Sequence, residues 1–217
     1  MSLVPFRTAA QIGEAVLVVG EHLERGGLLA YPTETVYGLG SRTRSEDVNA
    51  LSQLKGRRAG KAFLLLVSSR AMAEAQGLRF TKAARVLSDL YWPGPLTLVL
   101  SGGERHLPDA LRGPEGGIAV RWTSHAGLQR LITELGYPIT STSANRPGHA
   151  TAPGPGAIVE AFAEAVSAGT LVVLDGGTLG NLPPSTVLDC TGRTPHVIRE
   201  GAIPLRELRS AAGSYAP

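Results

Sequence analysis

The stretch 12–31, IGEAVLVVGEHLERGGLLAY, changes its period partway along. Ile12, Ala15, Val16, Val19 and Leu23 recur at helical spacing and make one apolar face. Gly26 and Gly27 then offer the residue type that accepts the left-handed conformation at a helix end. Leu28 to Tyr31 follows as an uninterrupted apolar run, which reads as a buried strand. A helix that stops on glycines and passes directly into a buried strand is a building unit of an α/β fold.

The alternation continues outward. Ser45 is placed to cap a short helix through Leu54, and Phe63 to Val67 reads as a strand. Thr81 is placed to cap a helix that must end near Trp92-Pro93, followed by strands at Leu96 to Leu100 and Ile118 to Trp122. Ser124 precedes a helix with Leu128, Leu131, Ile132 and Leu135 on one face, stopped by Gly136. Ile139 to Ser143 is a strand, and Ile158, Val159, Phe162, Ala163 and Val166 mark another helix. Leu171 to Asp175, Thr186 to Asp189 and His196 to Arg199 close the set as strands. The pattern predicts an α/β fold: a mixed sheet with helices on both faces. No repeat and no break in composition divides it, so residues 1–208 are expected to form one domain, with 209–217 a flexible tail.

Composition narrows the function classes. Hydrophobic residues are 43% and charged residues 18% of 217, which excludes a disordered chain. The net charge is 21 − 18 = +3, which suits an anionic ligand but is too small to argue nucleic-acid binding by itself. A single cysteine, Cys190, excludes an intramolecular disulfide and a multi-cysteine metal site. The five histidines, at 22, 106, 125, 149 and 196, have no paired spacing for zinc. No apolar run approaches a membrane span, and the N-terminus does not read as a signal peptide, so a cytoplasmic setting is expected.

Two familiar nucleotide signatures fail. Gly56-Arg-Arg-Ala-Gly60-Lys61 has one residue too few for a P-loop, and Ala62 stands where Ser or Thr should be. Gly38-Leu-Gly40 lacks the third glycine of a dinucleotide fingerprint. There is no GxSxG elbow.

Three other segments carry candidate chemistry. In Tyr31-Pro-Thr-Glu-Thr-Val-Tyr-Gly-Leu-Gly40, Thr33 and Thr35 with Glu34 and Tyr37 suit a small polar ligand such as an amino acid. The alternative is a turn with local hydroxyl bonds. Lys55, Arg57, Arg58 and Lys61 form a basic connector able to wrap phosphates, or else a solvated loop. Ser141 and Ser143 share one face of a strand that ends at Asn145, the sheet edge where α/β proteins bind ligands; the alternative is turn capping. Arg121, Ser185 and Arg199 sit at strand edges. Trp92 and Trp122 read as core or groove wall.

The order YPTETVYGLG, KGR, YWPGPLTLVL, IAVR, STSANRPG, PSTVLD and VIREGAI resembles the YrdC-like family, the threonylcarbamoyl-AMP synthases of tRNA modification. The resemblance runs from about residue 12 to residue 204, and the combination of PTET, KxR and SxSAN is what makes it specific. It implies a twisted sheet with a concave basic groove. It also implies a reaction of L-threonine, bicarbonate or CO2, and ATP with Mg2+, giving threonylcarbamoyl-AMP and pyrophosphate. Partner transferases would then modify adenosine 37 of tRNA. By position, the family's threonine pocket falls on Thr33, Thr35, Arg121, Ser141 and Ser185, with Arg121 on the carboxylate. Its ATP site falls on Lys55, Arg57, Lys61, Ser143, Asn145, Thr151 and Arg199, with Lys55 and Arg57 on the phosphates as catalytic cations and no resident metal.

The chain departs from the family pattern at Arg58, at Ala62-Phe63 and at Leu66, and its length resembles the short, single-domain form. A relative that binds double-stranded RNA without synthase activity is the alternative the resemblance allows. A carbamoyl-transfer domain of hydrogenase maturation is disfavoured, because those domains accompany zinc-finger cysteines.

Overall fold

The computed structural model describes residues 2–56, 62–180 and 182–208. The chain runs β1 (Leu3–Pro5), α1 (Ala9–Glu24), β2 (Leu28–Tyr31), β3 (Gly38–Gly40), α2 (Ser45–Lys55), β4 (Leu64–Val67), α3 (Arg70–Ala75) and β5 (Leu78–Arg79). It continues with α4 (Lys82–Tyr91), β6 (Leu96–Gly102), a 3-10 turn (Asp109–Leu111), β7 (Ile118–Trp122), α5 (Ala126–Leu135) and β8 (Ile139–Ser143). It ends with α6 (Pro155–Ala161), α7 (Ala163–Ser167), β9 (Leu171–Asp175), β10 (Thr186–Asp189) and β11 (His196–Arg199).

The described strands form one mixed sheet in the order β1-β9-β2-β3-β8-β4-β7-β6-β10-β11, with β5 added at the far end of β6. Successive strand residues point to opposite faces. On β2, Leu28 and Ala30 join one apolar cluster while Leu29 and Tyr31 join another. Leu65 and Leu66 of β4 divide the same way, as do Leu171 and Val172 of β9. The two clusters are therefore the two faces of the sheet. Val48 and Leu51 of α2, Leu87 of α4 and Ile158 of α6 cover the first face. Val16, Val19 and Leu23 of α1, with Leu128, Leu131 and Ile132 of α5, cover the second.

The second layer is incomplete. Its cluster contains residues of β1, β9, β2, β4 and β8, and none of β7, β6, β10 or β11. Over those strands the second-face residues Val99, Ala119 and Val187 are only partly buried, while their neighbours Leu98, Val120 and Leu188 are buried in the first cluster. The sheet thus leaves a bare face beside the α1/α5 layer.

The cap at Thr81 forms as expected, accepting from the Ala84 amide at 3.1 Å. The cap expected at Ser45 does not. Ser45 opens α2 as its first residue, and Arg44 at the cap position makes no side-chain cap bond. Ser124, which precedes α5, donates its amide to Glu34 Oε1, and the His125 ring caps the helix, accepting from the Leu128 amide at 3.2 Å. The helix expected around Phe162 breaks there into α6 and α7. The tail expected at 209–217 lies outside the described residues.

Glycines in β3 allow close strand packing. Tyr31 is buried with its ring over β3, and its hydroxyl donates to the Thr140 carbonyl at 2.8 Å. A Cβ on Gly40 would lie 2.1 Å from that same carbonyl oxygen and 2.9 Å from the Tyr31 hydroxyl. Backbone on the far side cannot yield without separating β3 from β8. Gly40→Ala is expected to cost about 2–3 kcal/mol, read as a thermal midpoint roughly 5–10 °C lower. Gly20→Ala, whose Cβ would meet only Leu135 at 3.7 Å within α1, should be neutral or slightly stabilising. Equal midpoints for the two variants would contradict this packing.

Candidate active site

The segment after β2 folds back on itself through Thr33. Its hydroxyl donates to the Val36 carbonyl at 2.7 Å and accepts from the Thr35 and Val36 amides, each at 3.1 Å. That is the local turn weighed as the alternative for this residue. With the Thr33 hydrogen committed to Val36, the Thr35 hydroxyl must donate in the 3.1 Å contact between the two threonines. Thr35 therefore presents its lone pairs outward, and both Nη1 and Nη2 of Arg121 donate to it at 3.3 Å.

Arg121 is the centre of this group. It sits near the end of β7 on the bare face, opposite Leu66 of β4, and is only 4% exposed. Its Nε donates to the Gly94 carbonyl at 3.2 Å, and its Nη2 lies 2.7 Å from Glu34 Oε1. Glu34 Oε1 also accepts from the Ser124 amide at 3.1 Å, and Glu34 Oε2 accepts from the Thr123 hydroxyl. Burial works to raise the Glu34 pKa. The Arg121 charge and the bonds from Thr123, Arg121 and Ser124 outweigh it and hold the carboxyl below its ordinary value.

Ser185 precedes β10 and is buried, its hydroxyl 2.8 Å from that of Thr97 on β6. Arg199, at the exposed rim on β11, donates to the Ser185 carbonyl at 2.9 Å. Desolvation and then the like charge of Arg121 lower the Arg199 pKa. Thr186 ties the chain after β11 into place through Ile203 O (2.7 Å) and Gly201 N (2.9 Å).

A second group adjoins the first along β8. Lys55, the last residue of α2, is 7% exposed and donates to the Ser143 carbonyl at 2.7 Å, to Asn145 Oδ1 at 2.6 Å and to the Asn145 carbonyl. The Ser143 hydroxyl donates to Asn145 Oδ1 at 2.6 Å. Asn145 Nδ2 donates to His149 O at 2.6 Å, and the Ala152 amide pairs with Ala144 at 3.1 Å, bringing Thr151 beside this turn. Ser141 and Ser143 lie on one face of β8, roughly 7 Å apart. A Cβ on Gly38 would come within 3.2 Å of the Ser141 hydroxyl, so the glycine keeps that hydroxyl approachable.

The family model described as "Telomere recombination", for Sua5, YciO and YrdC proteins, matches residues 21–201. The chain belongs to the Sua5/YciO/YrdC family. A protein of Thiobacillus denitrificans named threonylcarbamoyl-AMP synthase is 35% identical over 89% of the chain and 98% of its own length. One of Chromohalobacter salexigens with the same name is 37% identical over 84% and 94%. A third, from Pyrococcus abyssi, is 32% identical over 91% of the chain, but the chain spans only 57% of that relative. Among solved structures, P. abyssi Sua5 complexed with L-threonine superposes with TM-score 0.88 at 29% identity, covering 98% of this chain and 61% of that one. E. coli YciO superposes with TM-score 0.78 at 26% identity over 94% and 96%. The synthase relatives are enzymes that make an AMP adduct, and the mixed α/β sheet is the family's fold.

Of the residues expected from sequence, the structure gathers Thr33, Thr35, Arg121, Ser141 and Ser185 at the bare face, with Arg199 at its rim. It gathers Lys55, Ser143, Asn145 and Thr151 at the adjoining turn. Arg57 and Lys61 lie outside the described residues, as does Arg58. Lys55 is not an outstretched cation, since its ammonium organises the Ser143–Asn145 turn. Sequence reasoning missed Gly94, Thr97 and Thr123. Thr97 left a signal, because a lone hydroxyl inside LTLVL must find a partner once buried.

The arrangement can bind an anionic ligand between cations and hydroxyls. Burial and then Asp189 push the Cys190 thiol up to about 12, so it is a poor nucleophile. Among the described residues no group of three or more His, Cys, Asp or Glu side chains is placed to hold a metal ion.

Proposed function

We propose that this chain is a threonylcarbamoyl-AMP synthase using L-threonine, bicarbonate or CO2, and ATP. The observation that carries the reading is the adjacency of two unlike groups. A group built on a buried arginine, of a size and polarity for an amino acid and including Ser141 of β8, adjoins the lysine-braced Ser-Ala-Asn turn that ends that strand and suits phosphates. The similarity to Sua5 complexed with L-threonine supports the first assignment, and the shared synthase name of the relatives supports the second.

In this reading the threonine amine adds to CO2 and loses a proton, giving a carbamate. A carbamate oxygen attacks the α-phosphorus, and pyrophosphate leaves with the bond to its bridging oxygen broken. Arg121, positioned through Thr35, holds the threonine carboxylate, while Ser141 and Ser185 line the pocket. Ser143, Asn145, Thr151 and Arg199, with Arg57 and Lys61, take the nucleotide, and Lys55 adds its charge beside the phosphates. Mg2+ arrives as part of the ATP substrate, because it keeps most of its water and binds phosphate oxygens without a carboxylate cage. No covalent enzyme intermediate is needed. Holding two reactants in line supplies roughly 7–11 kcal/mol, and the cations stabilise the charge that develops on the departing phosphates. The product then passes to transferases acting on tRNA in the cytoplasm. Among the described residues no helix is long and apolar enough to cross a membrane.

Pyrophosphate release from Mg-ATP should require both L-threonine and bicarbonate. A folded protein that binds ATP yet releases none would sink the reading. It would favour the RNA-binding alternative, whose affinity would fall steeply with salt.

A further inference from the structure

The Glu34 carboxylate touches the cation that is to bind a carboxylate, which calls for a physical reason. Charge alone argues against it, because a partly buried anion 2.7 Å from Arg121 offsets the field a substrate carboxylate would feel. A role as the base that takes the threonine amine proton also fits poorly. The carboxylate is already bonded by Arg121, Thr123 and Ser124, and these partners favour its ionised form.

Its geometry offers a different gain. A guanidinium has five N–H donors in one plane. Nε is set by the Gly94 carbonyl, and Nη2 is shared between Thr35 and Glu34. Nη1 gives one hydrogen to Thr35 and keeps one for a ligand. Anchors on both edges leave the plane no freedom to rotate. Glu34 is the anchor that reaches across to another element, because the same carboxylate grips Thr123 and Ser124 in the turn entering α5. Its side chain is 18% exposed and that of Arg121 4%, so water competes little.

We propose that Glu34 is a positioning residue that fixes the Arg121 guanidinium in the orientation that receives the amino-acid carboxylate. The role rests on the synthase reading. It trades part of the arginine's attraction for orientation paid in advance of binding.

The test compares wild type, Glu34→Gln and Glu34→Asp. It measures thermal midpoint, L-threonine affinity by calorimetry, and pyrophosphate release with each substrate varied. Gln keeps length and an acceptor but loses the charge, and Asp keeps the charge but is too short to span both anchors. Both variants are expected to raise the KM and Kd for L-threonine about 10-fold or more, with the KM for ATP within about 2-fold. Tighter threonine binding by Glu34→Gln would show that the carboxylate only neutralises Arg121, and would overturn the role. A common loss for threonine and ATP that tracks the midpoint would make Glu34 a fold residue and overturn it too. If wild type turns over while both variants match it, the role alone falls. If wild type neither releases pyrophosphate nor binds L-threonine, the synthase reading falls with it.

Discussion

Arg121→Ala should lower kcat/KM for L-threonine roughly 30- to 1,000-fold, the effect of losing about 2–4 kcal/mol from a buried, charged contact. Arg121→Lys should recover little. A lysine carries the charge, but it cannot bond Gly94, Thr35, Glu34 and a ligand from one rigid plane. The alanine variant also leaves Glu34 as a partly buried carboxylate without its cation, so stability should fall as well. The pH dependence gives an independent check. In wild type the Glu34 carboxyl lies below its ordinary value, so its contribution is present above the unfolded carboxylate pKa. That contribution is lost as pH falls through the lowered folded value. Without Arg121 the largest influence lowering that value is gone, so the stability difference between wild type and variant should be greatest near neutrality and shrink in acid. A threonine kcat/KM unchanged by Arg121→Ala would remove Arg121 from the pocket.

Lys55→Ala should be the other severe substitution, and it should show in two measurements. Its ammonium holds the Ser143 carbonyl and both oxygens of Asn145, bridging the end of α2 to the turn after β8. Hydrogen bonds to a charged group contribute about 1.5–3 kcal/mol, so the thermal midpoint should drop by roughly 4–10 °C. Pyrophosphate release should fall about 100-fold or more, through loss of both the charge and the turn that takes the nucleotide in the proposed reading. Lys55→Met, which keeps the apolar stem, should restore packing but not turnover. Full turnover in either variant would mean that the phosphates bind elsewhere.

The sequence was legible where one periodicity dominated. The strands Leu28–Tyr31, Ile118–Trp122, Ile139–Ser143, Leu171–Asp175, Thr186–Asp189 and His196–Arg199 form at the expected residues. Short elements escaped. β1, β3 and β5 have two or three residues each, too few to show a period, and they exist because a neighbouring strand recruits them. Caps escaped as well: Ser45 became the first residue of α2, and the α5 cap is a ring nitrogen of His125, a residue type outside the usual capping set. Within the site, the hydroxyls and cations were visible as types in a motif, but their division of labour was not. Thr33 and Thr35 look equivalent in sequence. One closes a turn and the other faces Arg121, a difference set by which carbonyl lies within reach. Glu34 acquired its partners Arg121, Thr123 and Ser124 from residues 87 (121 − 34) to 90 positions away, which no local pattern announces.

The order of strands in the sheet differs sharply from their order of synthesis. β9 supplies the neighbour of both β1 and β2, and β10 supplies the outer neighbour of β6. Until residues 171–189 leave the ribosome, LLAY and LTLVL therefore each present an unpaired side, the kind of apolar edge that invites aggregation. Ser185 and Arg199 arrive later than every other part of the pocket. A chain interrupted before them would carry Arg121 and Glu34 yet lack the Ser185 hydroxyl that pairs with Thr97 and the Arg199 bond that ties β11 to it.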